Sequence, residues 1–153
     1  MHEAVFLVLI ALHLLAATTW VGGVLFFMFA VVPAARARPA SGIPEVLGRA
    51  FRPVAYGALG TLIITGPLLL FWAGIGPHML VRPRFWTSAF GATLALKAAC
   101  VLLVLILTVW HDAVLGPRAA RGGPVRAARL AARAIGLLSI AILLAGLLLA
   151  QGL

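Results

Sequence analysis

Acidic residues are almost absent: the 153-residue chain has 3 Asp and Glu against 12 Lys and Arg, and charged residues of either sign make up 10% of it. Soluble globular domains carry roughly 25% charged and about 50% apolar residues. A chain that is 64% hydrophobic, with a mean hydropathy of +1.17, is therefore read as an integral membrane protein. The single cysteine, Cys100, excludes an intramolecular disulfide and leaves the redox compartment unread. No H-E-x-x-H, C-x-x-C, G-x-G-x-x-G or phosphate loop occurs, so the usual signatures of metalloproteases, thiol redox enzymes and nucleotide binding are missing. Repeated Met or Cys clusters, which would mark a soft-metal pathway, are missing as well.

What the sequence has instead is long apolar runs. A helix needs about 20 apolar residues to cross the hydrocarbon core, and four segments qualify, at about 4–32, 54–73, 88–110 and 134–150. Together they predict an all-α integral membrane protein, a four-transmembrane-helix antiparallel bundle that uses residues 1–153 as a single domain. The start Met1-His2-Glu3 lacks a basic n-region and the run behind it is too long for a secretory signal, so the first segment reads as a retained membrane helix. Proline and glycine punctuate the breaks: Pro33, Pro39 and Pro44, then Gly74, Gly76, Pro77 and Pro83, then Gly116, Pro117, Gly122, Gly123 and Pro124. No internal repeat stands out in the sequence.

A net charge of +9 would suit a nucleic-acid binder, but nearly all the basic residues lie between the apolar runs. That placement reads as membrane topology and argues against a nucleic-acid partner. Loop 1 holds Arg36, Arg38, Arg49 and Arg52, loop 3 holds Arg118, Arg121, Arg126, Arg129 and Arg133, and loop 2 holds Arg82 and Arg84. Cytoplasmic loops carry the basic excess. The expectation is a multi-pass protein of a bacterial-type inner (cytoplasmic) membrane, with loops 1 and 3 inside and both termini and loop 2 outside.

In so apolar a chain the intramembrane ionisable groups carry the information, because a charge at the bilayer centre costs at least about 2.5–3.5 kcal/mol on insertion scales. Two stand out, His13 and Lys97. Counted at 1.5 Å per residue from the outer ends of helices 1 and 3, each lies roughly 15 Å deep, at a level where they would face one another. Lys97, Cys100, Thr108 and His111 share an arc of about 80° on helix 3, a polar face that belongs towards the bundle interior. An alternative is a snorkelling lysine and hydroxyls bonded to their own backbone. His13 itself admits three roles: metal or haem ligand, proton relay, or buried hydrogen-bonding group. Ala16 and Ala17 leave space beside it, Trp20 follows two turns on, and Gly22-Gly23 permits close helix packing or room for a flat cofactor.

Elsewhere, Pro67 predicts a kink in helix 2, and Gly136, Ser139, Gly146 and Ala150 place a small-residue packing seam on helix 4. Trp72 and Trp86 bracket loop 2 as an outer aromatic belt, with Trp110 at the inner boundary. His2 and His78, with Met1 and Met79, put nitrogen and thioether donors that suit copper at the outer rim. His111 beside Asp112 reads as an interfacial hydrogen-bonded pair.

The stretch Ala11-Leu12-His13-Leu14-Leu15, continuing to Trp20-Val21-Gly22-Gly23, together with Leu96-Lys97-Ala98, resembles the copper resistance D (CopD) domain family and the distantly similar HemJ-type protoporphyrinogen oxidases. The resemblance covers the chain in hydropathy and order, and these two short motifs in residues. From the CopD side it implies copper passage across the inner membrane. From the HemJ side it implies haem b in a small helical bundle, held through a helix-1 histidine and a helix-3 lysine that match His13 and Lys97. Phe27, Met28 and Phe29 stand where HemJ-type proteins carry an arginine, and residues 131–136 lack their Asn-Glu-x-Pro motif, which argues against porphyrinogen oxidation while leaving a haem site intact.

The expectation is thus a haem b-binding membrane protein for electron transfer or redox sensing. His13 is an axial ligand in this reading, and His78 or Lys97 is the candidate for the second position. Lys97 could equally pair with a propionate, and His111, about 21 Å further along helix 3, lies too far to share that haem. One alternative is a copper-binding or copper-transport protein with His2, His78 and Met79 at an outer entry and His13 and Cys100 further in. Another is a small scaffold subunit of a membrane complex. The lipid bilayer is the first partner in every case, with a membrane or periplasmic redox partner and a second copy of the chain as further ones.

Overall fold

A computed structural model describes residues 2–37, 42–123 and 125–151, with the side chains of His2 and Ala120 outside that description. The protein is all-α, with four helical stretches long and apolar enough to cross a membrane. It divides into two compact units, Met1–Arg82 and Pro83–Leu153. Each is a helical hairpin.

In the first unit, α1 (His2–Phe26) continues through a wider π turn, π1 (Phe27–Val31), into α2 (Val32–Ala37), and the chain returns along α3 (Ile43–Trp72) before the short α4 (Pro77–Leu80). The facing surfaces are built from small residues, with Ala16 on α1 and Ala55 and Ala58 on α3 buried. Without a hydrophobic drive between helices in lipid, close backbone approach of this kind is what holds them together. Gly23 shows how close: a Cβ there would occupy the space of the Phe51 ring, which also packs on Phe27 with ring centroids 5.7 Å apart. The glycine pair of helix 1 thus serves packing at Gly23. Large apolar side chains face outward, among them Leu7, Leu15 and Ile64, each more than 60% exposed, as a lipid-facing surface requires.

The second unit repeats the plan. After α5 (Pro83–Trp86), α6 (Ala89–Trp110) runs through π2 (His111–Leu115) into α7 (Gly116–Ala120), and α8 (Val125–Gln151) packs back against α6. Ser88 caps α6, its hydroxyl accepting from the Gly91 amide at 3.0 Å. The buried face of α8 includes Ala128, Ala131, Ile135, Gly136 and Ser139 and continues to Ala145 and Leu149, so most of the small-residue seam read from helix 4 is taken up inside this hairpin, while Ala150 is exposed.

The two π turns are built alike. In each, the residue after the turn donates back five positions, Val32 to the Phe27 carbonyl and Gly116 to the His111 carbonyl, and a proline follows at once, Pro33 or Pro117. Proline has no N–H for the carbonyl four residues back and its ring crowds that oxygen. One widened turn relieves both without ending the helix. α3, by contrast, runs unbroken through Pro53 and Pro67.

Every span is longer than its apolar run. α3 begins at Ile43 and α8 at Val125, well before the hydropathy boundaries at about 54 and 134, because arginine and alanine are strong helix formers and the helices continue into the basic loops. α3 ends at a left-handed Gly74 (φ 81°), where the Gly74 amide donates to the Phe71 carbonyl at 3.0 Å and the Ile75 amide to the Leu70 carbonyl at 2.9 Å. That six-to-one closure is a Schellman turn.

Candidate functional site

The best-defined polar site in the first unit centres on His13. It lies on the face of α1 that continues through the buried Ala16 and Trp20, turned to α3 and half-buried. Its Nδ1 is 2.7 Å from the Thr65 hydroxyl, and that hydroxyl donates to the Thr61 carbonyl at 2.7 Å. A threonine hydroxyl has one proton. With that proton committed to Thr61, Thr65 Oγ1 is left to accept from a protonated His13 Nδ1. Thr65 is itself buried, 4% exposed, and its rotamer is held by the backbone bond. Gly66 completes the berth, a Cβ there lying 3.8 Å from the His13 ring carbon Cε1.

This is the donor arrangement of a metal-ligating histidine, whose second nitrogen is held by a neighbouring acceptor that fixes tautomer and ring orientation. His13 would be the residue of this unit to hold a metal or haem iron. Beside the seam runs an open groove lined by Leu12, Leu15, Ala16, Thr19, Val54, Ala58 and Thr61. Its two hydroxyls donate to their own helices, Thr19 to Leu15 at 2.8 Å and Thr61 to Gly57 at 2.9 Å, so the groove offers a largely apolar wall.

Lys97 belongs to the second unit. It is half-buried on the face of α6 that also carries the buried Val104 and Thr108, and its Nζ lies 3.3 Å from where a Cβ would stand at Gly146 of α8. The polar face read from the sequence is thus turned to the hairpin partner, and Gly146 makes room for the lysine head. Cys100 is half-buried on the same face. The Thr108 hydroxyl is buried and has no hydrogen-bond partner among the described residues.

His111 and Asp112 form the expected pair, Nδ1 to Oδ1 at 3.2 Å with side chains 31% and 27% exposed, inside π2. His78 is exposed on α4, its ring folded against Gly76, and the side chain of His2 lies outside the described residues, as does Met1. Among the described residues no three His, Cys, Asp or Glu side chains gather into a metal-binding group.

Sequence reasoning singled out His13 but not Thr65 as its partner. The signal was the Thr61 and Thr65 pair, four residues apart on one helix face; what selects Thr65 is the register of the hairpin, which no local pattern carries. Comparison with protein-family models, with curated proteins and with solved structures gives no match.

Proposed function

We propose that this chain is a haem b-binding protein of a bacterial-type inner membrane, serving electron transfer or redox sensing, with His13 Nε2 as an axial ligand. One observation carries the reading: the bond from His13 Nδ1 to a Thr65 hydroxyl whose own proton is already donated. With Nδ1 held by Thr65, Nε2 would be the nitrogen that ligates, and the ring is oriented for it. The resemblance of the helix-1 and helix-3 motifs to CopD and HemJ-type proteins supports the same assignment. Bound haem supplies a one-electron couple whose potential depends on axial ligation and pocket polarity. The chain's own part is to present the imidazole and orient it through Thr65. His78, in the same unit, is the candidate that would supply a second ligand. Loops 1 and 3 face the cytoplasm in this proposal, with both termini outside.

The experiment is purification from membranes followed by a pyridine haemochrome assay and elemental copper analysis on the same sample. Haem b in stoichiometric amount supports the proposal. Colourless protein that holds copper and loses it on joint His2→Ala and His78→Ala substitution replaces it with the copper reading, and colourless protein with neither replaces it with a scaffold subunit.

A further inference from the structure

Eleven of the twelve basic residues are arginine, and five of them gather at one end of the α6–α8 hairpin. Arg118 is in the last turn of α7, Arg121 lies in the connecting turn, and Arg126, Arg129 and Arg133 are on α8. All five are exposed. The unit's one acidic residue is Asp112, and none of the five arginines makes an ion pair among the described residues.

The three on α8 are spaced by three and four residues, which puts them within an arc of about 60°. Directly opposite, Ala128, Ala131 and Ile135 are buried. The stripe therefore faces away from the hairpin. The apolar run of α8 begins at about residue 134, so at 1.5 Å per residue along the helix Arg133 stands at its edge and Arg126 about 10 Å beyond it. The headgroup layer on each side is about 5–7 Å thick, less than the length of the stripe. A topology signal needs only positive charge somewhere in the loop, on any face and as lysine or arginine. A one-faced column of guanidinium groups at phosphate depth is more than that, because the guanidinium fork matches phosphate oxygens two at a time.

We infer that the Arg126, Arg129 and Arg133 face of α8, extended by Arg118 and Arg121 at the turn, is a binding surface for the headgroups of anionic glycerophospholipids. It holds whether or not the chain binds haem.

The test titrates detergent-solubilised full-length protein with fluorescent phosphatidylglycerol or phosphatidylcholine and follows anisotropy. Wild type binds phosphatidylglycerol at least a hundredfold more tightly than phosphatidylcholine, at about fivefold per arginine, and added sodium chloride weakens the first and not the second. Each arginine near an anionic surface contributes about fivefold, so joint R126Q, R129Q and R133Q substitution lowers phosphatidylglycerol binding roughly a hundredfold and leaves phosphatidylcholine unchanged. R126K, R129K and R133K together keep the charge count, and with it the topology, but weaken phosphatidylglycerol binding several-fold through loss of the fork. Equal wild-type binding of the two lipids, a preference insensitive to salt, or a triple glutamine variant that keeps the wild-type preference would overturn the inference. So would complete displacement of phosphatidylglycerol by a soluble polyanion such as duplex DNA, which would mark a nucleic-acid surface instead. If the glutamine variant does not insert, the lysine variant and the salt titration decide.

Discussion

At the scale of single residues, the candidate site depends on a hydroxyl. Removing the Thr65 oxygen takes the acceptor from His13 Nδ1–H, and loss of such an outer partner typically costs 10–100-fold in metal affinity (about 1.4–2.7 kcal/mol). Thr65→Val is expected to weaken haem retention by about that factor in a haem-transfer assay to apomyoglobin, while Thr65→Ser restores it; equal retention in all three proteins would remove Thr65 from the site. Two glycines give a separate test of packing. A Cβ at Gly23 meets the tip of the Phe51 ring, which can move, whereas a Cβ at Gly91 meets the Phe85 carbonyl and Trp86 Cα, which are backbone. Overpacking costs roughly 1–3 kcal/mol, so Gly91→Ala belongs at the upper end and Gly23→Ala below it, compared by thermal unfolding in detergent. The reverse order would show that the Phe51 ring is the more rigid neighbour. His13 in the first unit and Lys97 in the second stand out in the sequence because an ionisable group in an apolar run is costly and therefore conspicuous. Thr65 and Gly146 do not, since a threonine or glycine in a membrane helix has ordinary packing uses and only the pairing of α1 with α3, or α6 with α8, singles one out.

At the scale of elements, the two hairpins share an architecture that their residues barely share. Each first helix widens into a π turn immediately before proline, at Phe27–Val31 and His111–Leu115. The sequence shows the prolines plainly but reads them as loop punctuation, because a π turn has no composition of its own and differs from a helix end only in where the next amide donates. The same limit applies to helix ends. Hydropathy locates the four apolar runs, yet α3 and α8 start well before them, since the arginine-rich flanks favour helix; α3 begins after Gly42 and α8 follows the turn at 121–123. If proline is the cause of the π turn, Pro117→Ala supplies the missing donor to the Ala113 carbonyl and residues 111–115 relax to ordinary α-helix. Carbon chemical shifts and slowed amide exchange at position 117 in micelles would report it, and a π turn that persists in Pro117→Ala would assign the widening to packing against α8.

At the scale of the whole molecule, the chain has four helices long and apolar enough to cross a membrane, and its proposed orientation follows from the loop arginines. With Cys100→Ala as background, His78→Cys should react with a membrane-impermeant maleimide in intact spheroplasts and Arg121→Cys only after lysis; the opposite pattern would invert the proposed sidedness. The central claim is narrower and rests on one imidazole. The measurement that tests it most directly is the absorption spectrum of purified wild type and His13→Ala, before and after dithionite and with added imidazole. The account predicts a Soret band in wild type that shifts on reduction, its near disappearance in His13→Ala, and its partial return when free imidazole replaces the lost ligand. A Soret band in His13→Ala equal to that of wild type, or a wild type that shows none after growth with ample haem, would contradict it.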